Sequence, residues 1–221
     1  MKNLIQQEIF EIEVLFWLKN KGYLQKLIFG GGTMLRLCHG LRRYSVDLDF
    51  WKYNVLQVDE FFQSLKDALR KDFIISDAQN KFYTLLFEIN KNPYPQKLKI
   101  EIRKEIKQAD FQEKIAYSKY AHRQVLVKGL TLEQMMKNKM MALSERKEIR
   151  DAFDIEFLLR NGINLSSNRN MLNKIIKIIK GFKKSDYFVK LSSLLEPEVR
   201  AYYQKNKFDY LLQRINQNLS Y

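Results

Sequence analysis

The sequence has little of what would staple, kink or loosen a chain. It holds one cysteine, Cys38, in 221 residues, which excludes an intramolecular disulfide framework. Two histidines, His39 and His122, are too few for a Cys/His zinc site. Eight glycines and three prolines exclude collagenous and linker-rich architectures. No apolar run approaches the roughly 18 residues that a bilayer span requires. Glu8, Glu11 and Glu13 interrupt the apolar pattern of the first segment, so it does not read as a signal peptide. A reduced, cytoplasmic protein with no membrane partner is expected. Acid is also in deficit: 25 Asp and Glu face 39 Lys and Arg, giving a net charge of +14 and a pI near 9.7. That surplus points to a polyanionic partner, nucleic acid ahead of an anionic membrane surface. Core-forming material is plentiful. Hydrophobic residues make up 46% and charged residues 29%, which excludes wholesale disorder. A chain of this length supports one or two domains and buries about 70% of its unfolded surface.

The order of patterns predicts an α+β protein. Ile5, Ile9, Ile12 and Phe16 recur at helical spacing, and Gly22 is a stop signal. Leu27–Phe29 reads as a strand that runs into Gly30-Gly31-Gly32-Thr33, a tight turn, with a helix from Met34 to His39. Val46–Phe50 alternates apolar and acidic residues, the period of a strand with one polar face. A helix is expected over 57–71, and strands over 73–76, 82–89, 97–103 and 124–128, with Pro93 and Pro95 in the hairpin connection between the second and third. After Gly129 the pattern turns helical. Thr131 and Gln134 form a capping box, and periodicity runs on to Leu159 before Asn161-Gly162. Further helices are expected over 168–182, 185–195 and 197–216. Residues 1–129 would form a mixed domain. Residues 130–221 would form a helical domain that completes the active site and carries a basic surface.

The chemistry concentrates between Gly30 and Phe50. Asp47 and Asp49 stand at i and i+2 on a strand and so share a face. Two adjacent carboxylates repel, and a divalent metal neutralises them well. Phosphoryl-transfer sites use ions held in this way, with a third carboxylate to bridge or orient them. Glu101, flanked by Ile100 and Ile102, supplies a third acid on another strand. The Gly31-Gly32-Thr33 turn suits a phosphate. Glycine lets backbone approach closely, N–H groups at a helix start attract anions, and Thr33 adds a hydroxyl donor. No Gly-Lys-Ser/Thr follows, so this is not a Walker A loop; nor is it a Rossmann fingerprint.

A second group lies on the 131–159 helix. Lys139, Leu143, Arg146, Arg150 and Asp154 fall on one broad helical face, with Asp151 beside it. Two readings are open for that stripe. It is a solvated face with an Arg150–Asp154 pair, or it turns toward an internal cleft where Lys and Arg hold a triphosphate. Farther on, residues 161–221 carry 11 Lys and Arg against four acids. Lysines 174, 177, 180, 183 and 184 surround an isoleucine stripe, as a phosphate-tracking face or as the solvated side of a core helix.

The segment GGTMLRLCHGLRRYSVDLDF resembles the nucleotidyltransferase motif of the AbiEii/AbiGii toxin family at Gly31, Gly32, Thr33, Leu35, Arg36, Arg43, Ser45, Asp47, Leu48, Asp49 and Phe50. NKMMALSERKEIRDAFDIEFLL resembles the family's second block at Lys139, Ala142, Leu143, Arg146, Arg150, Asp151 and Asp154. The resemblance covers about residues 25–160. It implies a polymerase-β-like nucleotidyltransferase domain, a mixed sheet with flanking helices, followed by a helical domain. It also implies a bacterial toxin paired with an antitoxin, with or without direct contact between them. Some relatives transfer nucleotides to tRNA 3′ ends and others are described as GTP-binding. Carried across, Asp47 and Asp49 would bind Mg²⁺ or Mn²⁺, with Glu101 as a third ligand where the family commonly has Asp. Lys139 and Asp151 would be a catalytic pair. Thr33, Arg43 and Ser45, with Gly31, Gly32, Arg36, Arg146, Arg150 and Asp154, would contact the nucleotide.

The expected reaction is transfer of a nucleoside monophosphate from a nucleoside triphosphate to RNA, tRNA first, with pyrophosphate leaving. Two other readings are a transferase acting on a protein or small molecule, and a nucleotide- or RNA-binding protein without turnover.

Overall fold

A computed structural model describes residues 2–55, 57–105, 109–166 and 168–220. The chain forms two compact units. One comprises residues 1–40 and 44–130, and the other residues 41–43 and 131–221.

The first unit is a seven-stranded mixed sheet with helices. Its order is α1 (Lys2–Asn20), a 3₁₀ turn (Leu24–Lys26), β1 (Leu27–Gly30), α2 (Gly31–His39), β2 (Asp47–Lys52), α3 (Val58–Asp72), β3 (Ile74–Asn80), β4 (Thr84–Asn90), β5 (Leu98–Arg103), β6 (Phe111–Ala116) and β7 (Val125–Leu130). The strands lie in the order β3-β4-β5-β2-β1-β7-β6. β2 runs parallel to β5 and β1 parallel to β7, while the other neighbours are antiparallel. Alternation explains how the sheet finds its core. Leu48, Phe50, Ile100, Ile102, Leu85, Phe87 and Ile89 are all buried on one face. Helix α3 covers part of that face with Phe61, Leu65 and Leu69, and Phe62 stacks on Phe87 at 5.1 Å.

Several elements differ from expectation. Helix α2 starts at Gly31 rather than Met34, so the glycine turn is the helix's own first turn. β4 starts at Thr84, because Phe82 and Tyr83 make the hairpin turn. The edge strand β6 was not expected, since its apolar side chains Phe111 and Ile115 are exposed and give no buried period. In α1 the buried stripe holds Phe10, Val14, Leu15 and Leu18, and with them Gln7, Glu8 and Glu11.

The second unit is helical: α4 (Leu132–Arg146), α5 (Ile149–Arg160), α6 (Arg169–Lys180), a π-helical turn (Asp186–Leu191), α7 (Pro197–Asn206) and α8 (Asp209–Leu219). Thr131 caps α4, accepting from the Gln134 N–H at 3.2 Å. The expected continuous helix over 131–159 is two helices, broken where Lys147 takes a left-handed conformation with φ +55°. Its N–H bonds back to the Leu143 carbonyl, closing α4 as a glycine would. The expected helix over 197–216 breaks likewise at Lys207, with φ +51°. The expected helix over 185–195 is only the π-helical turn.

Candidate active site

In the first unit, β1, α2, β2 and β5 bring the glycine turn and the acids to one end of the sheet. Gly30 pairs with Asp49 across β1 and β2, and Asp49 pairs with Glu101 across β2 and β5. Side chains in register share a face, so Asp47, Asp49 and Glu101 all stand opposite the buried Leu48, Phe50, Ile100 and Ile102. All three acids are partly exposed. Lys99 pairs with Asp47 on the same face.

Gly31 makes this arrangement possible. Its φ is +74°, and a Cβ there would lie 2.0 Å from Asp49 Oδ2. Only a residue without a side chain lets the chain turn into α2 beneath that carboxylate. Thr33, fully buried, donates its hydroxyl to the Asp47 carbonyl at 2.6 Å and so fixes β2 to the first turn of α2. Gln7 of α1 donates to the carbonyls of Val46 at 3.4 Å and Lys97 at 3.3 Å, holding the starts of β2 and β5 together. Among the described residues, no three His, Cys, Asp or Glu side chains converge as a ready-made metal cage.

The same unit holds a buried polar cluster that residue spacing does not reveal. The Arg36 guanidinium donates to Glu8 at 2.5 Å and stacks on Tyr44, 3.9 Å from its ring centroid. Ser118 donates to the other Glu8 oxygen at 2.6 Å. Glu11 is fully buried, and neither of its oxygens has a hydrogen-bond partner among the described residues. Burial, reinforced by Glu8, raises its carboxyl well above the usual range against the opposing pull of Arg36, and Asp47 adds a smaller push. The acids on α1 look like solvated helix residues in sequence. The partners of Glu8 lie 28 and 110 positions away.

The other predicted site residues gather in the second unit. Arg43 clamps Asp154 with two bonds of 2.6 Å, both side chains buried. Lys139, also buried, reaches Asp154 at 2.7 Å and Asp151 at 3.5 Å. Arg146 clamps Asp151 with two bonds of 2.6 Å. Residues five apart on one continuous helix do not face each other. The break at Lys147 is therefore what lets Arg146, ending α4, meet Asp151, opening α5. The expected Arg150–Asp154 pair does not form. Asp154 is taken by Arg43 and Lys139, and Arg150 Nε is buried without a partner among the described residues. Burial works to raise the Asp154 pKa, but Arg43 and Lys139 outweigh it and hold the carboxyl below its ordinary value. Arg146 alone among these cations has a substantially exposed side chain, at 45%. Ser45 is partly exposed beside β2.

Chemically, the three acids are oxygen donors, the type a hard cation prefers, and the first turn of α2 presents N–H groups of the type that favours an anion. No curated protein matches the chain. Among solved structures, it is similar to JHP933 from Helicobacter pylori, at 19% identity and TM-score 0.56, covering 96% of this chain and 95% of that one. It is also similar to an antigenic nucleotidyltransferase-like protein from Paracoccidioides brasiliensis, at 14% identity and TM-score 0.52, covering 89% of this chain and 97% of the other. At such identities these structures establish the fold. The model of the AbiEii nucleotidyl transferase toxins of type IV toxin–antitoxin systems matches residues 13–214. With that match over nearly its whole length, the chain belongs to the AbiEii nucleotidyl transferase toxin family.

Proposed function

We propose that this toxin transfers a nucleoside monophosphate from a nucleoside triphosphate to a hydroxyl of RNA, with tRNA the leading acceptor. The observation that carries the reading is the shared face of Asp47, Asp49 and Glu101 on neighbouring strands, with Gly31 bare beneath Asp49. The donors are all oxygen, which fits Mg²⁺ or Mn²⁺ and no softer metal. Asp47, Asp49 and Glu101 would hold the metal, and its chemistry there is charge neutralisation of the phosphates and activation of the attacking oxygen.

The chain's own residues do the rest. The N–H groups of the first turn of α2 orient a phosphate, and Thr33 keeps Asp47 in place from behind. The acceptor hydroxyl attacks the α-phosphorus in line. The new O–P bond forms as the bond to the β-phosphate oxygen breaks, pyrophosphate leaves, and the hydroxyl proton passes to Glu101. In the helical unit, Arg146 keeps a half-exposed charge of the kind that suits a phosphate. Lys139, Asp151, Asp154 and Arg43 hold it there through the ion-pair chain.

The RNA acceptor is supported by charge. In α6, Leu172, Ile175 and Ile179 are buried, so the isoleucine stripe belongs to the core and the lysines face water. Lys147, Lys174, Lys177 and Lys190 line a groove of about 510 Å³ with Phe182, against one acid, Asp186. Asp186 is occupied by Lys190 at 2.8 Å. A toxin of this family also implies an antitoxin partner.

The test uses purified protein, Mg²⁺, total tRNA and each α-³²P nucleoside triphosphate in turn. Label on tRNA with one or more nucleotides supports the reading. Pyrophosphate release without labelled tRNA redirects it to a protein or small-molecule acceptor, and nucleotide binding without pyrophosphate release redirects it to a non-catalytic binder.

A further inference from the structure

The β3–β4 hairpin ends in two large aromatic side chains that the core does not use. Phe82 is 84% exposed and Tyr83 74% exposed, and their rings meet edge to face at 4.6 Å and 83°. Turn tips ordinarily carry small polar residues, so two solvent-facing rings are costly unless something covers them. The tip is held in place. The Lys81 N–H donates to the Thr84 carbonyl at 2.9 Å, and the Lys104 N–H donates to the Tyr83 carbonyl at 2.9 Å. The second bond ties the turn to the end of β5, where Thr84 pairs with Arg103. Arg103 follows Glu101 by two residues, about 7 Å along the strand. β5 runs parallel to β2, so the aromatic tip stands beyond Glu101 at the end of β5 away from the Lys99–Asp47 pair and the glycine turn.

The surroundings select the kind of partner. Residues 79–84 are Gln, Asn, Lys, Phe, Tyr and Thr, with no aliphatic side chain to extend an apolar patch. Lys81 and Lys104 adjoin the rings along the backbone, Arg103 lies over Trp51 at 5.9 Å from its ring centroid, and the nearby Asp59 is bonded to Asn80. Bare π-faces among cations, without aliphatic neighbours, match an unpaired nucleobase and its phosphates. An apolar protein surface would ask for Leu, Ile or Val instead.

We propose that Phe82 and Tyr83 form a stacking platform for an unpaired base of the RNA acceptor some way along the strand from its reacting hydroxyl, with Lys81 and Lys104 holding the adjoining phosphates. The proposal rests on the RNA reading above and adds which part of the RNA is read and by which residues.

The test is fluorescence anisotropy of the full chain with a short fluorescein-labelled single-stranded RNA and with a blunt RNA duplex, over a salt series. Both aromatics are solvent-facing, so Phe82→Ala/Tyr83→Ala should fold, and an unchanged melting temperature checks this. Base stacking is worth about 1–3 kcal/mol, so the variant should bind the single strand at least about fivefold more weakly, and as much as about 150-fold. Its salt dependence should be unchanged, because no phosphate contact is removed. Phe82→Trp/Tyr83→Trp should keep the affinity, and the blunt duplex should bind both proteins alike. Equal single-strand affinity in wild type and the alanine variant would overturn the platform and leave the RNA reading standing. Failure of the wild type to bind either RNA would overturn both. Binding to phosphatidylserine vesicles that is lost in the alanine variant, with RNA affinity unchanged, would overturn the platform in favour of a membrane contact.

Discussion

The two units each hold a group of charged side chains that the sequence motifs single out, three acids on the sheet and an ion-pair chain in the helical unit, and they hold them differently. On the sheet, Asp47, Asp49 and Glu101 keep partial exposure, and their positions are set by backbone: a glycine beneath one, a threonine bond behind another, strand register for the third. In the helical unit, Arg43, Lys139, Asp151 and Asp154 are buried and satisfy one another. A partly exposed charge on a rigidly held backbone can be reached by a ligand. A charge buried with its partner mainly keeps a fold specific. On the proposed reading, like residue types in neighbouring motifs divide into reacting groups and positioning groups.

The difference can be broken from either side, and the helical unit should respond most. Asp154→Ala removes the carboxylate that takes both Arg43 and Lys139, and losing one partner of a buried pair costs about 3–5 kcal/mol. Urea unfolding should show that loss, or the variant should not accumulate as folded protein. Asp47→Ala should do the opposite. Stability should hold or rise, because like-charge repulsion is relieved, while pyrophosphate release falls by more than the roughly 100-fold that loss of an outer-shell partner costs a metal site. Gly31→Ala should fall between these. The left-handed φ of +74° costs about 1–2 kcal/mol with a side chain present, and the added methyl must also displace the Asp49 carboxylate. Both the melting temperature and the rate should drop.

The smallest effect concerns Glu11. Burial raises its folded pKa above the unfolded value, so its contribution to stability is full in acid and fades as pH climbs through the raised value. Glu11→Gln has no proton to lose. Its melting temperature should gain on wild type as pH rises and show no such advantage in mild acid. Parallel melting curves across that range would contradict the assignment of a buried, uncharged Glu11.

Much of the sheet was legible because period-two alternation reports burial directly, as in Val46–Phe50 and Leu98–Arg103. The placement of Asp47 and Asp49 on one face follows from that alone. Three things were not legible, each for a physical reason. The break at Lys147 carries no glycine or proline, so helical periodicity ran through it. It becomes intelligible only with the Arg146–Asp151 clamp that it permits. Burial of Glu8 and Glu11 depends on Arg36 and Ser118, which sequence spacing cannot connect to α1. The role of Gly31 as the floor under Asp49, beyond that of a turn residue, depends on strand register.

The most direct test of this division is to measure pyrophosphate release and thermal melting together on Asp49→Asn, which keeps the side-chain shape over Gly31 and removes the charge. The account predicts a melting temperature at or above that of the wild type and pyrophosphate release lost. Pyrophosphate release at the wild-type rate would contradict it.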